Sequence, residues 1–365
     1  MFGATQLPRR LHAALEDARS RKASVRSSAL SDLARHLQSA PSPEAENSLR
    51  EALRADQHPE VRATAALAIA DAGFGGADRE LLAALDDGDP RVRRAALIAI
   101  GEVADRSLPG LMAKVEQMTE APEPALRYQA LVALRHLCGI EAARRLLEAL
   151  DDSDEELRWV ALRLLEELAA DHGDGRLEVP DWLEGGLDRI GKRLQDPGPR
   201  VRLAAAILLG KMGDERAKPV LIELLSVHSA CDGHDLLAAV QLVADLRLEE
   251  ARPALISRAR RGWGEGELGW VSLVALARLG DTHARGEVVK ELAAASLARR
   301  ARAVQALIDM PVPEAADSLA RLLRRPRGLD PEQLREALRR GRSDTLVAEP
   351  RALSPAAGTV IEPRG

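Results

Sequence analysis

The stretch Asp86–Gly101, "DDGDPRVRRAALIAIG", decides how the rest of the chain is read. Asp89 is placed to cap a helix through its side-chain oxygen. Pro90 then falls at the first helical position, where its missing N–H costs nothing. Behind it, "VRRAALIAIGEVA" places apolar or small residues around most of the helix circumference, the pattern of a helix packed on several sides. The stretch is one copy of a recurring unit. "HPEVRATAALAIADAG" (58–73), "EPALRYQALVALRHLCG" (123–139), "DEELRWVALRLLEELA" (154–169) and "GPRVRLAAAILLGKMG" (198–213) repeat it. "ASVRSSALSDLARHL" supplies an earlier copy with Arg26, and the register continues to Asp235, Gly269 and Arg300, nine copies in all. The arginines Arg62, Arg93, Arg127, Arg158 and Arg202 are spaced 31, 34, 31 and 44 residues apart. A period in the thirties is the mark of a solenoid.

Each unit reads as two helices. Before each Pro/Arg helix lies a more amphipathic one, such as "RELLAAL", "AARRLLEAL" or "KPVLIELLSV". Gly73, Gly139, Gly213 and Gly280 fall where helix-terminating glycines belong. The expected fold is an all-α, right-handed α-solenoid of about nine helical hairpins. Its expected parts are an N-terminal capping helix within 1–22, the array over 23–326 with degenerate repeats near 227–270, a capping helix over 327–342, and a disordered tail over 343–365. That tail is rich in Pro, Ala and Gly and carries "VAEPR" (347–351) and "VIEPR" (360–364).

The residues "LLAALDDGDPRVRRAALIAIG" and "LGKMGDERAKPVLIELL" resemble HEAT repeats of the short bacterial type, also found in phycobilin-lyase-like proteins. The resemblance covers roughly residues 20–325. It implies a ladder in which the turn Asp and the helix Arg bond one repeat to the next. Arg62, Arg93, Arg127, Arg158 and Arg202 are its arginines, and Asp56, Asp87, Asp89, Asp152, Asp154 and Asp196 are the candidate partners. It implies little about function, because one fold hosts many.

Composition narrows the classes. Aromatics are 2% of the 365 residues, which disfavours a sheet protein. No apolar run approaches the ~18 residues of a membrane span. The opening "MFGATQLPRRLHAALEDA" lacks a signal peptide's apolar core, and two cysteines make no disulfide framework. A cytoplasmic protein is expected. The net charge is −5, with residues 51–295 at −12 between basic ends. That balance disfavours general nucleic-acid affinity, although the basic region 299–342 leaves open a nucleic-acid or acidic-partner contact. No phosphate-binding glycine loop, nucleophile elbow or H-E-x-x-H is present, so no cofactor is expected.

The columns of the repeat point to a binding face. The residue after each Arg position reads Ser27, Ala63, Arg94, Tyr128, Trp159, Leu203, Leu236, Trp270, Ala301. Three of the chain's seven aromatic residues fall there, and Trp and Tyr are the types that anchor interfaces. One turn on, Leu67, Ile98, Val132, Arg163, Ile207, Val240, Val274 and Gln305 share that face, and a charged row from Asp71 to Asp309 follows. The expected function is a non-catalytic scaffold or adaptor holding a partner helix or extended peptide on its concave face. Tyr128, Trp159, Leu203, Trp270, Arg94, Ile98, Val132 and Ile207 are the expected contacts, and the tail is a candidate to fold back into the groove. The alternative places a metal-dependent or lyase-type enzyme at 228–235, where His228, Cys231 and His234 have metal-ligand spacing. Packing between repeats is the competing reading of the aromatic column. The insertion around Trp182, "DHGDGRLEVPDWLEGG", is a further candidate contact.

Overall fold

The structure is a computed structural model, and it describes residues 10–171, 181–226, 233–260 and 266–347. The described residues are helical, without a strand among them. The chain divides into two compact units, residues 1–220 and 221–365. The first holds α1 (Leu11–Asp17), α2 (Ala23–Ser39), α3 (Pro43–Ala55), α4 (Pro59–Ala72), α5 (Asp78–Ala84), α6 (Pro90–Val103), α7 (Leu111–Met118), α8 (Pro124–Cys138), α9 (Ala143–Ala149), α10 (Glu155–Asp171), α11 (Leu187–Lys192) and α12 (Pro199–Lys211). After α13 (Ala217–Ser226), the second unit continues through α14 (Gly233–Asp245), α15 (Arg252–Arg260), α16 (Glu267–Arg278), α17 (Thr282–Glu291), α18 (Leu297–Asp309), α19 (Ala316–Arg324) and α20 (Pro331–Val347).

The even-numbered helices α2–α18 carry the positions of the Arg column. In the first unit α2 packs on α4, α4 on α6, α6 on α8, α8 on α10 and α10 on α12, each also backed by the helix before it. In the second, α14 packs on α16, α15 and α17 back α16, and α18 packs on α20. Close spacing is possible because the position three residues after the Arg column is small: Ala65, Ala96, Ala130, Ala161 and Ala205 in the first unit, all buried.

Local signals act as the residues dictate. Asp89 Oδ1 accepts the Arg91 amide at 2.9 Å, and Pro90 opens α6. Asp154 Oδ1 accepts the amides of Glu156 and Leu157 at the start of α10. Gly73 (φ 64°) ends α4 in the left-handed region, which is open to glycine without a Cβ penalty. The helix after Pro331 continues to Val347, past the start expected for the tail. The rest of the tail, including "VIEPR", lies outside the described residues.

Candidate functional site

The arginine column is scaffold, with one repeated geometry. Nη1 of Arg26, Arg62, Arg93, Arg127, Arg158, Arg202 and Arg300 donates to the carbonyl six residues upstream, at 2.7–2.9 Å. In four repeats Nε and Nη2 form a two-pronged bond to a carboxylate of the next turn: Arg26 to Asp56 (2.6 and 2.8 Å), Arg62 to Asp87 (2.7 and 2.9 Å), Arg127 to Asp152 (2.8 and 2.9 Å) and Arg158 to Asp196 (2.8 Å twice). The planar guanidinium fork suits this pairing. Each of these aspartates also accepts, on its own backbone carbonyl, the arginine of the following helix, so one turn residue ties together two repeats. Its Oδ1 further accepts the amide two residues on, 2.9 Å for Asp87. Arg62's hydrogen bond and that amide hold the Asp87 carboxyl below its ordinary pKa against the opposing effect of burial.

Of the six expected acids, Asp56, Asp87, Asp152 and Asp196 are rungs. Asp89 instead pairs with Arg91 in its own turn, and Asp154 is the cap of α10. Arg93 has a partner outside the expected set, Glu123 at 2.7 Å. Ala121 stands where the aspartate would be, so the arginine reaches two residues further. Arg300 donates Nη2 to the carbonyl of Arg327 (2.9 Å).

The residue after each arginine does not behave uniformly. Tyr128, Trp159 and Trp270 are half-buried, Arg94 is exposed, and Ile98 and Val132 are half-buried. Leu67, one of the apolar row, is exposed. Leu203 and Ile207, by contrast, are fully buried and belong to the core rather than to a contact face. The reason lies in α12: from Val201 to Gly210 only Arg202 is polar, and a helix apolar all round is enclosed all round. The adjoining row in this part of the first unit is ionic. Buried Glu166 takes both Arg163 and Lys211.

Two of the tryptophans share a device. The guanidinium of Arg200, on α12, lies 4.3 Å from the Trp159 ring centroid and pairs with Glu156 at 2.9 Å. In the second unit, Arg302 of α18 lies 4.4 Å from the Trp270 ring and 3.5 Å from Glu291. Each indole thus has one face covered by a cation from the next column helix, a contact worth about 0.5–1 kcal/mol at partly exposed sites. The sequence columns gave no sign of it, since Arg200 precedes its column position by two residues and Arg302 follows by two.

Around Trp270 the second unit has a groove of about 540 Å3 across α14, α16 and α18. Trp270 and Val274, one turn apart, line it with Ala244 and Ala306. Its rim is polar and internally paired. Arg278 meets Asp245 at 2.5 Å, and the Gln305 amide donates to both Asp309 carboxylate oxygens at 3.3 Å. An apolar floor with a satisfied polar rim is the anatomy of a protein-binding patch.

Of the three candidate metal ligands only His234 falls among the described residues. His228 and Cys231 lie outside the described residues, and His234 is exposed at the start of α14. Among the described residues no group of three or more His, Cys, Asp or Glu is placed to hold a metal. Cys138 is half-buried against Met112 (S···S 4.0 Å), and burial raises its pKa, the opposite of an activated thiol. The Trp182 side chain is outside the described residues.

The repeat geometry agrees with the comparisons. Residues 78–166 and 175–230 match the model of the family described as HEAT repeats, and these segments are HEAT repeats. Among solved structures, a chain of a homology model of the full-length AP-3 complex in an intermediate open conformation is similar over 83% of this chain and 57% of that one, with TM-score 0.59 and 15% identity. The X-ray structure of YibA of E. coli is similar over 74% of this chain and 92% of that one, with TM-score 0.50 and 17% identity. The CpcE–CpcF complex of phycocyanin lyase from Nostoc is similar over 69% and 94%, with TM-score 0.41 and 17% identity. At these identities the likeness to the first two is one of fold. No curated protein matches the sequence.

Proposed function

We propose that this chain is a non-catalytic interaction scaffold that holds a helix or extended peptide of a partner protein. The groove of the second unit, floored by Trp270 and Val274, is the principal anchor. Tyr128, Val132, Ile98, Arg94 and Trp159 of the first unit offer further contacts of the same chemistry. The observation that carries the reading is the groove itself: a half-buried indole held in place by Arg302, an apolar neighbour one turn away, and rim charges already paired within the chain. Paired rim charges favour an apolar anchor residue over a charged ligand, because a charged ligand would compete with Arg278–Asp245. No described helix is long and apolar enough to cross a membrane.

The test is a photo-crosslinking amino acid at Gln305, on the rim, in living cells, with Trp270→Ala as the comparison and circular dichroism on both proteins. A crosslinked partner that disappears in a folded Trp270→Ala variant supports the groove. A partner retained at full yield in that variant refutes it. If Trp270→Ala unfolds the second unit, the indole is packing and the reading fails.

A further inference from the structure

On the edge formed by the first helices of the hairpins, a second column of charges runs seven residues before the Arg column. It reads Asp86, Glu120 and Asp151 in three successive hairpins. Each acid takes a base from the first helix of the next hairpin: Lys114 of α7 meets Asp86 at 2.5 Å, Arg145 of α9 meets Glu120 at 3.2 Å, and Arg189 of α11 meets Asp151 at 2.8 Å. In the second unit the position seven before Arg300 is Ala293, an exposed residue just past α17. The next first helix, α19, nevertheless brings bases to it. Arg321, Arg324, Arg325 and Arg327 line a pocket of about 490 Å3 with Val289 and Leu292 of the α17 segment. All four arginines are exposed. Arg321 donates to Ser318 Oγ at 3.1 Å, and none of the four has an ion pair among the described residues. The one acid at the end of α17, Glu291, is engaged by Arg299 and Arg302.

We propose that this pocket is a docking site for an acidic peptide segment of a partner protein, which supplies from outside the carboxylates that Asp86, Glu120 and Asp151 supply within the first unit. Arginine forks bind carboxylates in pairs. Val289 and Leu292 provide an apolar floor for a side chain between the acids. A peptide is favoured over a nucleic acid because the bases form one compact cluster beside the apolar surface of Val289 and Leu292, which suits an apolar side chain between acids rather than an extended phosphate backbone. The site stands apart from the Trp270 groove and does not depend on it.

The experiment uses the full chain and fluorescence anisotropy. The probe is a fluorescein-labelled peptide of repeated Glu-Glu-Leu, with its Gln-Gln-Leu counterpart and an oligouridylate of about 12 nucleotides as comparators. Wild type is expected to bind the acidic peptide and not the Gln peptide, with affinity falling as salt rises. Arg324→Glu/Arg325→Glu is expected to weaken binding about tenfold or more. Ala293→Asp restores the missing acid of the column, and is expected to lower affinity similarly by occupying the arginines from within. That second variant changes an exposed alanine and keeps the test open if the double variant misfolds. Binding unaltered in both variants, equal binding of the Gln peptide, or no binding by wild type up to about 1 mM peptide overturns the proposal. Tighter arginine-dependent binding of the oligouridylate also overturns it, in favour of a nucleic-acid site.

Discussion

Removing the Asp196 carboxylate tests the ladder at its most enclosed rung. The Arg158 and Asp196 side chains are 9% and 1% exposed, and two bonds of 2.8 Å join them. In Asp196→Ala, Arg158 keeps its Nη1 bonds to the carbonyls of Asp152 and Ser153, at 2.9 and 3.1 Å, but Nε and Nη2 face a buried site with no counter-charge. Removing one partner of a buried pair costs about 3–5 kcal/mol. The Arg216–Asp188 pair has a similar distance, 3.0 Å, but its side chains are 46% and 90% exposed, and Asp188→Ala is expected to cost about 1 kcal/mol or less. Urea unfolding followed by circular dichroism compares the two. A stack couples each hairpin mainly to its neighbours, so the loss shows as an earlier transition of the first unit. The same rung sets an acid limit. Burial raises the pKa of Asp196, yet the Arg158 hydrogen bond, the Gly198 amide and the charges of Arg158 and Arg193 outweigh it and leave the net pKa lowered. A carboxyl lowered on folding contributes stability that is present above its unfolded value, about 4, and lost as pH falls through its folded value. Wild type should therefore lose urea resistance below about pH 4 more steeply than Asp196→Asn. If Asp196→Ala unfolds at the same urea concentration as Asp188→Ala, the ladder contributes no more than surface charge and the reasoning is wrong.

Two further outcomes follow from single residues. Ser272 is fully buried and its Oγ has no hydrogen-bond partner among the described residues, in a column that is Ala in the other eight repeats from Ala29 to Ala303. An unsatisfied buried hydroxyl costs about 1–3 kcal/mol, so Ser272→Ala is expected to raise the melting temperature by a few degrees, and a lower one refutes the assignment. Asp89, hydrogen-bonded first by the Arg91 side chain and then by its amide, is held at a pKa of about 2. Its carboxyl carbon should stay in the ionised position in an NMR titration down to about pH 3, and Arg91→Ala should shift the transition upward.

The repeat was legible because its signals are local. A proline at the first helical turn and an arginine three residues later recur whatever the rest of the helix does, and four of the five turn positions compared copy by copy hold the ladder aspartate. Where the structure departs from the columns, a neighbour's residue is the cause. Arg93 finds Glu123 because Ala121 cannot serve, and the sequence did carry that signal: an alanine in the aspartate column with an acid two residues on. Leu203 and Ile207 are core because α12 lacks the polar residues that mark an outer face elsewhere, a contrast visible only when each copy is judged by its own composition rather than by its column. The carbonyl acceptors of the Nη1 bonds have no letter in the sequence at all.

The same logic separates scaffold from site. A residue repeated from copy to copy serves contacts that recur from copy to copy, which is why Arg62 and Arg158 hold the stack. Function has to reside where a column changes while its surroundings do not. Trp270 follows a glycine where seven of the nine column helices have an arginine, and it is covered instead by Arg302 from the next helix. Ala293 stands at the position that is Asp86, Glu120 and Asp151 in three successive hairpins of the first unit, and bases line the pocket beside it as bases meet those acids. Both positions lie in the second unit, where two of the three Arg-column positions hold Asp235 and Gly269. It follows that restoring the ladder motif at Gly269, as Gly269→Arg, places a long cation at a buried position and should disturb α16 packing and the Trp270 groove, whereas Ala301→Trp, in the same column one helix on, should leave the ladder untouched and extend the groove's aromatic floor.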